Sequence, residues 1–142
     1  MEQRLSIITL GVKELDKSEQ FYTKKFGWSK TEESNESIIF MQLNGIKLAL
    51  YANAALAEDA NVEHQETGNA SYKGFTLAFC TRSEQEVDEL FEDFKKQNVK
   101  IVKEPEKVFW GGYSGYIADP DGNLWEIAFN PYLQMDEVGN IK

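Results

Sequence analysis

The feature that most constrains the fold of this chain is an internal repeat. Residues 8–12 spell Ile-Thr-Leu-Gly-Val, residues 75–79 spell Phe-Thr-Leu-Ala-Phe, and a helical pattern follows each of them. Three short segments of strand character come after each helix, so both halves read β-α-β-β-β. Such a repeat indicates a duplication in which each copy builds the same unit. The sequence therefore predicts a single α+β domain of two βαβββ modules. Its predicted parts are module 1 at about 4–51, a linker at 52–72, module 2 at about 73–131 and a tail at 132–142.

Module 1 combines apolar runs with one amphipathic segment. Its predicted elements are a strand at 4–12, a helix at 13–26, a weak strand at 28–33 and strands at 37–43 and 46–51. Asp16 and Ser18 are the candidate N-caps of the helix, because short polar side chains accept hydrogen bonds from the free N–H groups at a helix start. Between the last two strands, Asn44-Gly45 predicts a type I′ hairpin, which requires positive φ at both positions.

Module 2 repeats this pattern with clearer signals. Its predicted elements are a strand at 74–81, a helix that starts at Ser83, a strand at 99–102 and a hairpin with strands at 113–118 and 124–129. Ser83 and Glu86 have the spacing of a capping box. The apolar stripe of the helix consists of Val87, Leu90, Phe91 and Phe94. In the hairpin turn 119–123, the proline presets φ, the Asx side chains bond to local backbone and the glycine takes positive φ.

The linker 52–72 is rich in small and acidic residues and contains the only histidine, His64. A short helix is predicted within it at 54–58. A connection of this length joins two modules or covers a site, because ordinary loops are much shorter. The tail at 134–142 is predicted to be mobile, as chain ends commonly are.

The net charge of −9 argues against a nucleic-acid partner, because no basic patch is present to neutralise phosphates. No apolar run approaches the roughly 20 residues that cross a bilayer, and the N-terminal residues lack the apolar region of a signal peptide. The single cysteine, Cys80, cannot form an internal disulfide and fits a reducing compartment. We therefore expect a cytoplasmic protein without a nucleic-acid or membrane partner.

One carboxylate lies in the last predicted strand. Because strand side chains alternate between faces, Glu126 shares a face with Leu124 and Ala128 rather than with Trp125 and Ile127. Its side chain faces either solvent or a cavity, and alternation alone does not distinguish the two.

Aromatic residues crowd the start of the same hairpin. Trp110, Tyr113 and Tyr116 lie where a loop enters a strand, a position at which pocket mouths occur. Each ring either packs in a core or a dimer interface, or lines a ligand site. If Glu126 shares a cleft with these rings, its carboxylate can accept a hydrogen bond from a cationic or hydroxylated ligand, or act as a base. Cys80 has no histidine or cation near it in sequence, which favours a packed side chain over a reactive thiolate.

Taken together, these patterns resemble the vicinal oxygen chelate superfamily over residues 5–131. That superfamily includes lactoylglutathione lyases, extradiol dioxygenases, fosfomycin-resistance transferases and bleomycin-resistance binding proteins. The residues that carry the resemblance are Thr9-Leu10-Gly11-Val12, Leu15, Ser18, Phe21-Tyr22 and Phe26-Gly27 in the first half, and 118–126 (Ala-Asp-Pro-Asp-Gly-Asn-Leu-Trp-Glu) in the second. The resemblance implies curled mixed sheets with helices outside, a cleft lined by strand side chains, and a homodimer whose modules pair within one chain or between two.

The resemblance also implies where a metal ion would bind. The metal enzymes of the family hold one divalent ion with inward side chains from up to four strands. The corresponding positions here are Ile7, Ala49, Thr76 (or Phe75 if the register slips by one) and Glu126. A divalent site needs about three protein ligands. Of the residues at these positions, only Glu126 is of a type that binds metal ions. His64 could supply another from the linker, although a lone loop histidine is usually solvated. We therefore expect neither a metal ion nor another cofactor.

The predicted function is metal-free binding of a small organic molecule, planar or cationic, by a homodimer. The alternatives are a metal-dependent lyase or dioxygenase, and a metal-free acid/base enzyme that uses Glu126. The predicted catalytic residue is Glu126. The predicted ligand-binding residues are Ile7, Thr76, Trp110, Tyr113, Tyr116 and Glu126.

Overall fold

The structure, a computed structural model, describes residues 1–63 and 73–142. The chain divides into two compact units, Met1–Asn69 (unit 1) and Ala70–Lys142 (unit 2), with a boundary inside the predicted linker. Each unit contains a mixed β-sheet with an α-helix packed on one face. The predicted α+β class is confirmed.

Unit 1 folds around a three-stranded sheet. Its elements are β1 (Ile7–Val12), α1 (Leu15–Lys24), β2 (Ile38–Gln42), β3 (Lys47–Ala52) and α2 (Asn53–Asp59). Strand β3 lies in the centre, parallel to β1 and antiparallel to β2. Helix α1 buries Ser18, Phe21 and Tyr22. The buried strand residues are Leu10, Val12, Ile39, Met41, Leu48, Ala49 and Leu50.

The weak strand predicted at 28–33 is reduced to an isolated bridge between Lys30 and Met41. Trp28 stacks on Tyr22 of α1 with 5.9 Å between ring centroids, which holds the start of this segment against the helix. The polar residues that follow lack the alternating apolar side chains by which a strand packs on a core. The described part of unit 1 therefore has three strands where four were predicted.

Two local predictions in unit 1 are wrong. Helix α1 begins after Glu14, so Asp16 and Ser18 lie inside the helix and neither is its N-cap. The hairpin between β2 and β3 forms, but of its two central residues, Asn44 and Gly45, only Gly45 has positive φ, at 76°. A type I′ turn requires positive φ at both positions, so the turn is of another type.

The helix predicted at 54–58 is α2, which packs on β1 at Gly11. A Cβ added there would lie 2.0 Å from Oδ1 of Asn53, so only glycine allows this close approach. His64 and the rest of the predicted linker lie outside the described residues. Within the described part of the chain, no helix has the length and hydropathy to span a membrane.

Unit 2 contains a four-stranded sheet. Its elements are β4 (Leu77–Thr81), α3 (Glu84–Lys96), β5 (Lys100–Lys107), β6 (Tyr113–Ala118) and β7 (Leu124–Phe129). The strand order is β4-β7-β6-β5, with β4 parallel to β7 and the other pairs antiparallel. Strands β6 and β7 have the predicted bounds, because their residue types and the turn between them are strong local signals.

Helix α3 begins as predicted. The Ser83 side chain accepts a hydrogen bond from the Glu86 N–H at 3.1 Å, and the Glu86 carboxylate accepts one from the Arg82 N–H at 2.7 Å rather than from Ser83. The second hydrogen bond of the capping box is therefore made with the residue before the N-cap rather than with the N-cap itself. Val87, Phe91 and Phe94 are buried against the sheet, and the buried strand residues that face them include Ile117, Trp125 and Ile127.

Strand β5 extends beyond the predicted 99–102 because its pairing with β6 tolerates two irregularities. The register shifts between Ile101 and Lys103, and again between Lys103 and Glu106. These shifts let an edge strand accommodate Pro105, since bulges and edges are the places where a sheet accepts proline.

The tail forms a small hairpin rather than the predicted mobile end. Met135 bridges to Ile141, and the Asp136 carboxylate accepts hydrogen bonds from the N–H groups of Val138 and Asn140. The Arg82 guanidinium donates to the backbone oxygens of Asp136 and Glu137, at 3.2 and 3.0 Å. This arginine thus attaches the hairpin to the loop that precedes α3.

Candidate functional site

The candidate site lies on the face of the unit 2 sheet that points away from α3. Glu126 of β7 is paired directly with Tyr116 of β6 and with Ala78 of β4. Its chain neighbours Trp125 and Ile127 are buried on the opposite face, which packs against α3. Since paired strand residues share a face, Glu126, Tyr116 and Ala78 lie side by side.

The same row continues onto β5, where Lys103 is the register partner of Tyr116. The next residue, Glu104, forms an ion pair with Lys95 of α3 at 3.0 Å. Because neighbouring strand residues point to opposite faces, Lys103 projects away from α3. We call the four residues Ala78, Glu126, Tyr116 and Lys103 the Glu126 row. It carries a carboxylate, a phenol and an ammonium group across the four strands.

Apart from Tyr116 and Leu124, the strand side chains around Glu126 on this face are small. Ala128 follows it along β7, and Ser114 and Ala118 are its diagonal neighbours on β6. Glu126 is half-buried, and within residues 1–63 and 73–142 no side chain or backbone group forms a hydrogen bond or ion pair with its carboxylate.

Cys80 of β4 is also a diagonal neighbour of Glu126, because it pairs with Ala128. Burial raises the pKa of the Cys80 thiol, and the negative charge of Glu126 raises it further. Both effects oppose thiolate formation, which disfavours Cys80 as a nucleophile.

Tyr113 does not lie beside Glu126. Its hydroxyl donates to Oδ1 of Asp88 on α3 at 2.7 Å, which places the ring on the helix side of the sheet. This hydrogen bond, with a smaller contribution from burial, raises the pKa of Tyr113 to about 12. Of the tyrosines predicted at the site, Tyr116 is therefore adjacent to Glu126 and Tyr113 is on the other face.

The remaining predicted residues are more dispersed. Trp110 covers Gly112 in the loop before β6, where an added Cβ would lie 1.9 Å from its ring. Thr76 is exposed, one position before β4 begins. Ile7 opens β1 of unit 1 and is 46% exposed. Their part in ligand binding stays a prediction.

Sequence reasoning missed Lys103 because its position depends on the irregular pairing of β5 with β6. A regular strand carries Ile101 and Lys103 on the same face, whereas the shift pairs Ile101 with Ile117 and Lys103 with Tyr116, which lie on opposite faces. A bulge of this kind re-aims a side chain and has no signal in the residue pattern.

The positions at which the family would hold a metal ion do not fit one. Ala49 is fully buried in the centre of its sheet, between Thr9 and Phe40. Like Ile7, it has no donor atom in its side chain. In the part of the chain that the structure describes, no group of three or more histidine, cysteine, aspartate or glutamate side chains is arranged to hold an ion.

Comparison with known proteins identifies relatives over most of the chain. A sequence profile of the Glyoxalase/Bleomycin resistance protein/Dioxygenase superfamily matches residues 4–127. The chain is 28% identical over 125 residues to the metallothiol transferase FosB of Lysinibacillus sphaericus, a match that covers 88% of this chain and 81% of that protein.

Solved structures agree with this match. A glyoxalase-related enzyme from Fulvimarina pelagi is 36% identical, with a TM-score of 0.87 over 99% of this chain and 98% of that one. A lactoylglutathione lyase from Agrobacterium tumefaciens has the same fold, with 24% identity and a TM-score of 0.69 over 92% of this chain and 96% of that one. The predicted resemblance is confirmed: the chain belongs to the Glyoxalase/Bleomycin resistance protein/Dioxygenase superfamily.

Proposed function

We propose that this protein binds a small organic molecule at the Glu126 row without using a metal ion. The ligand carries a planar ring and a cationic or hydroxylated group. The observation that supports this proposal is the half-buried carboxylate of Glu126, which lies beside the Tyr116 ring and has no partner within the described residues.

The charge of Glu126 is partly removed from water, and this has a free-energy cost. A carboxylate that loses water without gaining a donor is destabilised, and a ligand ammonium or hydroxyl group removes that penalty by donating a hydrogen bond. Such charge-assisted hydrogen bonds are stronger than neutral ones. The adjacent Tyr116 ring offers a surface on which a planar group can stack.

The proposal also includes a homodimer. Several large apolar side chains are exposed on the chain, among them Ile7, Phe75 and Phe79 at 46%, 41% and 42%. A second copy would remove such apolar area from water, which favours association. Light scattering after size exclusion measures the mass directly: about twice the 16.3 kDa of one chain is expected, and a monomer at high concentration would contradict this part of the proposal.

Binding can be tested with two matched probes, benzylamine and benzyl alcohol, which share a ring and differ in charge. Isothermal titration should show tighter binding of benzylamine. Glu126→Gln keeps the size of the side chain and removes its charge, so the affinity for benzylamine should fall about tenfold, as expected for one charge-assisted hydrogen bond. Glu104→Gln is the control, because it removes the same charge from the helix side of the same unit. Equal affinity for benzylamine in wild type and Glu126→Gln would refute the proposed site at the Glu126 row.

The second candidate is a metal-free enzyme in which Glu126 acts as a base. The relatives support an enzymatic role, because one is named a metallothiol transferase and another a glyoxalase-related enzyme. The two functions differ in what happens to the bound molecule. A ligand retained from a cell extract and recovered unchanged after incubation supports binding, whereas its conversion by wild type but not by Glu126→Gln supports the enzyme. Metal analysis of the purified protein tests the remaining alternative, a metal-dependent lyase or dioxygenase. A stoichiometric divalent ion would contradict the metal-free proposal.

A further inference from the structure

We propose that Lys103 is a second charged contact of the same site, so that the site selects an amphoteric ligand. Such a ligand carries a cationic group at one end of a planar body and an anionic group at the other. This inference rests on the proposed function, because it assumes that Glu126 and Tyr116 contact the ligand.

The charged groups of the row are spaced like the two ends of a single-ring ligand. Glu126, Tyr116 and Lys103 are consecutive register partners on β7, β6 and β5. Adjacent strands lie about 4.8 Å apart, so the backbones at Glu126 and Lys103 are separated by about 10 Å. A single-ring molecule with charged groups at its two ends has a comparable span. Lying across the strands, it would place its cation at Glu126, its ring over Tyr116 and its anion near Lys103.

The ammonium group of Lys103 is accessible to a ligand. Lys103 is 40% exposed and forms an ion pair with Glu106 at 2.7 Å, in which the glutamate is 61% exposed. Exposed pairs of this kind contribute little to stability, because water screens the charges. A carboxylate or phosphate group of a ligand can therefore take the place of Glu106 at little cost.

A lysine on an edge strand can also have a role unrelated to ligand binding. Strand β5 lies at the edge of the sheet, and lysines on edge strands prevent pairing with other chains. That role predicts no effect of Lys103 on ligand affinity. The same strand contains a matched control, Lys107, whose ammonium group forms an ion pair with Glu84 of α3 and therefore lies on the helix side.

The test compares benzylamine with 4-(aminomethyl)benzoate, which adds an anionic group at the far end of the same ring. Wild type should bind 4-(aminomethyl)benzoate about tenfold more tightly than benzylamine, as expected for one added charge-assisted hydrogen bond. Lys103→Met keeps the apolar stem and removes the charge, so 4-(aminomethyl)benzoate should lose affinity and this difference between the two probes should disappear. Lys107→Met should leave both affinities unchanged. Thermal unfolding followed by circular dichroism confirms that each variant is folded.

The possible failures are distinguishable. If Glu126→Gln weakens benzylamine binding but Lys103→Met leaves the two probes as different as in wild type, the role of Lys103 is refuted and the proposed function stands. If wild type binds benzylamine and 4-(aminomethyl)benzoate equally, the selection of an amphoteric ligand is refuted. If Glu126→Gln does not change benzylamine binding, the proposed function fails and this inference fails with it.

Discussion

The chain contains the same turn sequence twice, Asp-x-x-Gly-Asn, once in a buried place and once in an exposed one. The first copy, 119–123, joins β6 to β7, and the second, 136–140, forms the tail hairpin. In each copy the aspartate carboxylate accepts hydrogen bonds from two backbone N–H groups and from the side chain of the final asparagine. We predict that Asp119→Ala destabilises the protein strongly and that Asp136→Ala does not.

The magnitude follows from the bonds of the first copy. Oδ1 of Asp119 accepts from the N–H groups of Asp121 and Asn123 at 2.9 and 2.8 Å, and Oδ2 accepts from the Asn123 amide at 2.7 Å. All three residues are buried, with Asp119 only 4% exposed. At about 1 kcal/mol for each hydrogen bond, and more where a buried donor is left without a partner, the loss is about 3 to 5 kcal/mol. For a chain of this length, such a loss lowers the Tm by about 10 °C or more.

Urea unfolding and differential scanning calorimetry of both variants measure these changes. The donors around Asp136 are exposed and can bond to water instead, so Asp136→Ala should loosen the tail and leave the main transition close to that of wild type. Asp119→Asn provides a graded step, because an amide oxygen keeps part of the acceptor capacity and loses the charge. If Asp119→Ala and Asp136→Ala cause equal losses, burial does not decide the value of this motif and the reasoning is refuted.

Three further predictions concern unit 2. Gly115→Ala should lower the free energy of unfolding by about 1 to 3 kcal/mol, because its Cβ would lie 2.5 Å from Cζ of Phe91. Adding Phe91→Leu should recover part of this free energy in urea unfolding. If the double variant is as unstable as Gly115→Ala, the nearby backbone rather than the Phe91 ring is the obstacle. Ser83→Ala should cost about 1 kcal/mol through the lost N-cap of α3, which Ser83→Asp should largely prevent in the same assay. Since the charge of Glu126 helps to raise the pKa of the Cys80 thiol, Glu126→Gln should lower that pKa and increase the rate at which iodoacetamide alkylates Cys80 at pH 8. A rate equal to that of wild type would contradict the proximity of Glu126 and Cys80.

The hairpin β6–β7 and the start of α3 illustrate what can be predicted from residue order alone. The bounds of both strands and the role of Ser83 agree with the prediction, because a turn with glycine and proline, a capping serine and an apolar stripe act within a few residues. The internal repeat and the resemblance to the superfamily were also recognisable from the residue pattern. Such signals depend on backbone preferences that hold in almost any surroundings.

Other predictions failed where a distant contact overrode the local pattern. The segment 28–33 keeps only a bridge to β2, since Trp28 packs on α1. The tail is held as a hairpin because Arg82, more than fifty residues away in sequence, binds its backbone. Tyr113 had the residue type expected at a pocket, but Asp88 of α3 accepts its hydroxyl hydrogen bond on the other face of the sheet.

Residue order was enough to establish the two-module α+β plan, the face of β7 that carries Glu126, and the loss of metal-ligand residue types at three of the four positions. The side chains that lie next to that carboxylate became known only from the folded chain. Strand register places Tyr116 and Ala78 beside it, and an irregularity in β5 aligns Lys103 with them. Register and bulges arise from the fit of whole strands against each other and against the helix, and no stretch of residues read alone encodes that fit.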